Sequence, residues 1–148
     1  MSQEISISWS QFEEDCKTLA RKIISCEMPF EAMVVLTRGG LCVAGVLSNI
    51  LRIKNVSTLC LESYKNKGWS KFNILSTPNI GLPEKASILI VDDLVHTGRS
   101  MGFAINYVLG QGYQTHSAVL YNKNEFLSFE FYVRRYPIDT WIEFPWEK

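Results

Sequence analysis

Ile88-Leu89-Ile90-Val91-Asp92-Asp93-Leu94-Val95-His96-Thr97-Gly98-Arg99-Ser100-Met101 is the stretch that decides the fold. Ser87 to Val91 is an unbroken apolar run of strand length, suited to the middle of a parallel sheet covered on both faces. It ends on two acids, and a helix is predicted from Gly98 to Leu109, stopped by Gly110 and Gly112. The same order of elements recurs to either side. Ala32 to Thr37 is a strand that stops at Arg38-Gly39-Gly40. A helix over Leu41 to Leu51 follows, with Leu41, Ala44, Leu47, Ser48 and Leu51 on one side. Upstream, Ser10-x-x-Glu13 reads as a capping box for a helix with Phe12, Cys16, Leu19, Ala20, Ile23 and Ile24 on its apolar face. Val56–Glu62, Thr115–Tyr121 and Phe129–Val133 are further strands. Residues 64–85, punctuated by Pro78, Gly81 and Pro83, read as a long loop of the kind that serves as a lid. The stretch from Pro137 onward reads as irregular. Alternating strands and helices imply one α/β domain over residues 1–148, with a mostly parallel five-stranded sheet flanked by helices.

Composition narrows the partners. Fifteen basic and fifteen acidic residues cancel, so no strong overall field holds nucleic acid or an anionic membrane. The first residues lack a charged segment followed by an apolar run, and no stretch approaches membrane-spanning length. Cys16, Cys26, Cys42 and Cys60 include no C-x-x-C pair, which argues against a zinc or redox motif and for a reduced, cytoplasmic protein.

In parallel sheets ligands bind beyond the carboxyl ends of the strands. Thr37-Arg38-Gly39-Gly40, Ser63-Tyr64 and Asp92-Asp93 all lie at such ends and are expected to converge. Two adjacent carboxylates suit a cation such as a Mg²⁺–diphosphate, or the hydroxyls of a ribose. A few residues on, Thr97-Gly98 turns the chain into a helix whose unpaired N–H groups attract phosphate. Thr97 and Ser100 add hydroxyls, and Arg99 adds charge. The spacing suits a ribose 5-phosphate. An ordinary strand-to-helix turn capped by Thr and Ser is the alternative, and the doubled acid argues against it.

This run resembles the signature of the type I phosphoribosyltransferases: an apolar strand, two acids, two apolar residues, then Asp-Thr-Gly and a small hydroxyl residue. Thr37-Arg38-Gly39-Gly40-Leu41 resembles the family's diphosphate loop, and Ser63-Tyr64 the start of its catalytic loop. Ile7-Ser8-Trp9, Thr140-Trp141-Ile142-Glu143 and Pro145-Trp146-Glu147 resemble the bacterial xanthine-guanine subfamily. The resemblance implies a core over about 8–121 and a small base-binding hood over about 122–148. It implies transfer of ribose 5-phosphate from phosphoribosyl diphosphate to a 6-oxopurine (xanthine, guanine or hypoxanthine), with Mg²⁺ carried mainly by the substrate and met by Asp92 and Asp93. Residue by residue, it implies that Arg38 and Gly39 meet the diphosphate, with a cis peptide between them. Asp92 and Asp93 face the ribose and its developing positive charge. His96, Thr97, Gly98, Arg99 and Ser100 hold the 5-phosphate. Trp141 stacks on the purine, Lys123 reads its 6-oxo group, and Ile142 and Glu143 read its 2-position. A homo-oligomer, dimer or tetramer, is implied as well.

The chain departs from that pattern at three places. His96 stands where the subfamily has Asp; an imidazole titrates near neutrality, so it suits a general base. Arg99 replaces a small residue. Asn122-Lys123-Asn124 replaces the family's Lys-Pro. These departures keep a second reading open, a phosphoribosyl-diphosphate or nucleotide-binding regulator with weak or no catalysis. Zero net charge disfavours a third, an RNA-binding regulator. Lys65, Lys67 and Lys71 fit equally a lid closing on diphosphate and a solvated loop. His116, in a strand with no partner motif, reads as structural or as a surface residue.

Overall fold

The computed structural model describes residues 2–125 and 130–148. In chain order the elements are β1 (Glu4–Ser6), α1 (Trp9–Ser25), β2 (Ala32–Thr37), α2 (Gly40–Leu51), β3 (Val56–Asn66), β4 (Trp69–Ser76), β5 (Ser87–Val95), α3 (Arg99–Gly110), β6 (Gln114–Asn122), β7 (Phe131–Arg135) and β8 (Trp141–Glu143), closed by a 3-10 turn over Pro145–Glu147. The main sheet has the order β4-β3-β2-β5-β6-β7, parallel except for the edge strand β4. β1 and β8 pair separately, in parallel.

The unbroken apolar strands are explained by layers on both faces. Met33 and Val35 of β2, with Leu89 and Val91 of β5, pack under Cys16, Leu19, Val43 and Leu47 of α1 and α2. The alternate residues Val34, Leu36, Ile88 and Ile90 pack with Met101, Ala104 and Val108 of α3. This is the period-2 alternation of a strand with apolar residues on each face.

Several boundaries differ from the sequence reading. Ser8, not Ser10, caps α1: its extended backbone lets the hydroxyl accept the Gln11 N–H at 3.1 Å, while Ser10 is already helical. The buried face of α2 is Gly40, Val43, Ala44 and Leu47, and Leu41 is exposed. The helix begins at Gly40 because a Cβ there would lie 2.8 Å from the Val91 carbonyl oxygen, so only glycine lets α2 sit against β5.

The largest correction concerns residues 64–85. Much of that region is a hairpin: β3 runs on to Asn66 and β4 returns from Trp69, with Asn66 paired to Trp69. Lys67 and Gly68 both have positive φ, 50° and 81°, as a two-residue hairpin turn requires. The hairpin makes a sixth strand beyond the five expected. Phe72 of β4 rests against Phe103 of α3, ring centroids 5.3 Å apart. β5 also continues past the acids to Val95. The strand expected over Phe129–Val133 is β7, and Phe129 lies outside the described residues.

The C-terminal stretch is ordered by aromatic packing. Tyr121 of β6 stacks on Phe144, and Phe144 on Trp146 with centroids 4.6 Å apart; Phe12 of α1 meets Trp146 edge-on. Below this stack Asp15 of α1, 2 % exposed, accepts hydrogen bonds from the Tyr121 hydroxyl, from Arg134 Nη2 at 3.1 Å and from Gln11 Nε2 at 2.9 Å. A buried carboxylate needs such donors. Tyr121→Phe removes one of them and is expected to destabilise the fold by about 1–2 kcal/mol, read as a lower urea midpoint with an unchanged slope. An unchanged midpoint would show the Tyr121–Asp15 bond to be without weight.

Candidate functional site

Three strand ends build the site. β5 delivers Asp92 and Asp93, both half-buried, with the Asp93 N–H donating to Asp92 Oδ1 at 2.9 Å. Burial, then the charge of Asp93, raises the Asp92 carboxyl well above the ordinary range. Burial raises Asp93 too, and hydrogen bonds pull it partly back; Glu147 adds a further upward push. Like charges crowded at a half-buried strand end favour protonation or a cation.

β2 delivers the second loop. A Cβ on Gly39 would lie 2.6 Å from Asp93 Oδ1, so this glycine lets the loop close on the acids. The cis peptide is Thr37–Arg38, one residue earlier than the bond expected between Arg38 and Gly39. Gly39 takes helical angles, φ −54° and ψ −40°, as the cap of α2. Thr37, Arg38, Gly39, Asp93, Trp146 and Glu147 line a cavity of about 640 Å³. Trp146 and Glu147 were not assigned from the sequence, which treated the C-terminal stretch as irregular. Their only signal was the Pro-Trp-Glu resemblance. Glu147 also accepts the Phe144 N–H at 2.8 Å, which holds the turn in place.

On the other side of the acids, Asp92 and the run Leu94 to Met101 line a cavity of about 120 Å³. Gly98 sits at φ 84° as the cap of α3, and no side chain caps that helix. Past Arg99, whose N–H meets Thr97 Oγ1, the first N–H groups of α3 are available to an anion. Thr97 Oγ1 accepts from the Arg99 N–H at 3.4 Å, a long bond that leaves the hydroxyl free to donate.

The end of β6 lies beside that loop. The Lys123 N–H donates to the Val95 carbonyl at 2.8 Å, and Asn124 Nδ2 to the Thr97 carbonyl at 3.0 Å. Lys123 is 8 % exposed, and burial lowers its pKa while Asp139 pulls it partly back. Lys123 also borders a cavity of about 520 Å³ with Glu125, Arg135, Tyr136, Pro137, Ile138 and Asp139. Burial, then the nearby Lys123 charge, lowers the pKa of His96.

The other base-binding candidates divide. Trp141 is 66 % exposed, so it is not a core aromatic. The Ile142 side chain is in the core opposite Ile5, which leaves only its backbone for a ligand. The Glu143 carboxylate accepts from Ser6 Oγ at 3.1 Å, which ties it to β1. Lys65 and Lys71 lie on the hairpin, opposite Ser70 and Tyr64. His116 pairs with Glu130 at 2.7 Å and packs edge-on against Phe30, in keeping with a structural role.

Among the described residues no helix is long and apolar enough to cross a membrane. The phosphoribosyl transferase domain model matches residues 8–147. The chain is 30 % identical over 147 residues to the xanthine-guanine phosphoribosyltransferase of Chromohalobacter salexigens, covering 98 % of this chain and 85 % of that one. It superimposes on a purine phosphoribosyltransferase of Pyrococcus horikoshii with TM-score 0.86 at 28 % identity, covering 99 % of this chain and 95 % of that one. The Helicobacter pylori xanthine-guanine-hypoxanthine phosphoribosyltransferase shares the fold, with TM-score 0.85 at 24 % identity over 98 % and 94 % of the two chains. With a domain match spanning nearly its whole length and a relative at 30 % identity, the chain belongs to the phosphoribosyl transferase domain family.

Proposed function

We propose that this enzyme transfers ribose 5-phosphate from phosphoribosyl diphosphate to a 6-oxopurine, xanthine, guanine or hypoxanthine, giving the nucleoside monophosphate and diphosphate. The observation that carries the reading is the position of Asp92 and Asp93 between two cavities, about 640 Å³ on the Arg38 side and about 120 Å³ on the Thr97–Ser100 side. A diphosphate in the first and a 5-phosphate in the second place the ribose against the two carboxylates. The nearness of a named xanthine-guanine relative supports the choice of purine.

The roles follow from chemistry. Arg38 and the Gly39 backbone bind diphosphate; Thr97, Gly98, Arg99 and Ser100 bind the 5-phosphate with N–H, hydroxyl and guanidinium donors. The reaction forms a bond from a purine nitrogen to C1′ as the bond from C1′ to diphosphate breaks. Positive charge develops on the sugar, and Asp92 and Asp93 stabilise it in a preorganised site. Trp141 provides a flat apolar face for the base, Lys123 meets the 6-oxo group, the Ile142 backbone and Glu143 meet the 2-position, and His96 meets the imidazole edge.

The hard oxygen donors Asp93 and Glu147, facing one cavity with the raised carboxyls, fit Mg²⁺. Bound there, Mg²⁺ would neutralise charge on the leaving diphosphate. A homo-oligomer, dimer or tetramer, belongs to the same reading, and the free cysteines suit a cytoplasmic setting.

The decisive measurement mixes the protein with phosphoribosyl diphosphate, Mg²⁺ and each purine in turn and follows nucleotide formation. Binding of phosphoribosyl diphosphate without product from any base would leave a binding protein in place of the transferase. Asp93→Asn is expected to lower turnover roughly 100-fold or more. The same variant is expected to melt higher than the native chain at neutral pH. The sign follows from the raised carboxyl: its contribution to stability is present when protonated and is lost as pH rises through its folded value. The difference in melting temperature should shrink as pH falls below the ordinary carboxylate range; a variant that melts lower at neutral pH would contradict the repulsion.

A further inference from the structure

Inside the turn over Pro145–Glu147 the hydrogen bonds close on themselves. The Phe144 N–H donates to Glu147 Oε2 at 2.8 Å, and the Glu147 N–H to the Phe144 carbonyl at 3.1 Å. These two bonds shape the turn and reach no other element. β8 leads into it, and rings set where it stands against the crevice. Phe144 lies on Tyr121 with planes 16° apart, and Trp146 lies on Phe144 with planes 10° apart. Phe12 meets Trp146 edge-on at 5.2 Å. The end of this ladder, Trp146 with Glu147, borders the cavity of Arg38, Gly39 and Asp93.

Tyr121 is fully buried, and the ladder stands on its ring. Packing alone holds a ring loosely along its own plane, whereas a hydroxyl bonded to a carboxylate is directional. Both oxygens of Asp15 are engaged: Oδ2 accepts the Tyr121 hydroxyl, and Oδ1 accepts Arg134 Nη2 and Gln11 Nε2. The carboxylate therefore cannot turn to follow a displaced hydroxyl. α1 grips the ladder twice, with Asp15 at Tyr121 and with Phe12, one turn earlier on the same buried face, at Trp146. Tyr136, the other ring on Tyr121, meets it edge-on, and its N–H is tied to the Asn122 carbonyl at 3.0 Å. That side of Tyr121 is thus fixed independently of the hydroxyl.

We propose that Tyr121, locked by Asp15, is a positioning residue for the diphosphate-side cavity: through Phe144 and Trp146 it fixes where the Glu147 carboxylate stands across from Arg38 and Asp93. This rests on the transferase reading above, which assigns that cavity to the diphosphate. Tyr121 and Asp15 are both buried and act only through the ladder. Removing the hydroxyl keeps every ring and frees the lowest one to shift. The shift is felt at the far end, at Glu147.

Calorimetry of phosphoribosyl diphosphate with Mg²⁺, and no purine present, reads this without turnover. Tyr121→Phe is expected to bind about tenfold more weakly, and on a Glu147→Gln background the same change is expected to add nothing. Unchanged affinity in Tyr121→Phe, or losses that multiply in the double variant, would overturn the proposal; a purely structural tyrosine lowers the melting temperature and leaves affinity below it untouched. Asp15 supplies a second route to the same lock. Asp15→Ala is expected to match Tyr121→Phe, and Asp15→Asn, which keeps an acceptor for the hydroxyl, to fall between Asp15→Ala and the native chain. Native affinity in Asp15→Ala would also count against the lock. In turnover, KM for phosphoribosyl diphosphate is expected to rise in Tyr121→Phe with KM for guanine unchanged, and an equal rise in both would contradict a role confined to one cavity. Weaker binding by Tyr121→Phe in a protein that turns over no purine would sink the transferase reading and leave the positioning role standing.

Discussion

The site depends on how closely α2 approaches the end of β5. A side chain at Gly40 would strike the Val91 carbonyl, and one at Gly39 would strike the Asp93 carboxylate. With both glycines in place, the loop from β2 is pressed against the acids. Arg38 and Asp93 then border one cavity. Any larger residue would push α2 away and open the crevice, whatever the rest of the sheet did. Two neighbouring glycines therefore do here what a long-range contact does elsewhere: they set the distance between two loops that chemistry requires together.

That closeness has an electrostatic cost. Asp92 and Asp93 are crowded by protein and by each other, and Glu147 adds a third negative charge nearby. Such crowding favours protonation or a neighbouring positive charge. At the ends of β5 and β6 the charges are mixed: Lys123 and Arg135 line one cavity with Glu125 and Asp139.

The far wall is held by packing and by one buried ion network. The Tyr121–Phe144–Trp146 stack runs from β6 to the cavity beside Asp93, and Asp15 fixes its base through Tyr121 and Arg134. A flat aromatic ladder resists bending, and the hydrogen-bonded carboxylate below it prevents sliding. The C-terminal wall is consequently positioned by α1, the first helix in the chain, some 130 residues earlier in sequence by the Asp15–Trp146 separation.

Local chemistry accounts for what could be read directly. Apolar runs buried on both faces announce β2 and β5, helical spacing announces α1 and α3, and the doubled acid followed by Thr97-Gly98 announces the phosphate turn. Each rests on neighbouring residues and a fixed period, so it survives without knowledge of the fold. The hairpin escaped because β3 and β4 are mostly exposed past Cys60 and lack the apolar alternation of a buried strand; their turn, Lys67-Gly68, is an unusual pair for that geometry. The Ser8 cap escaped because hydroxyl spacing alone does not say which serine is still extended. Glu143 illustrates the limit most plainly: its residue type suits a ligand, and its partner Ser6 lies at the other end of the chain. The sequence by itself determined the α/β class, the acid pair and the Thr97-Gly98 turn into α3, because these are local. Only the tertiary structure decided that Trp146 and Glu147 wall the cavity that Arg38 and Asp93 share, and that the strand ends carrying His96 and Lys123 lie side by side. Those juxtapositions depend on strand order and register, which couple residues far apart in the chain.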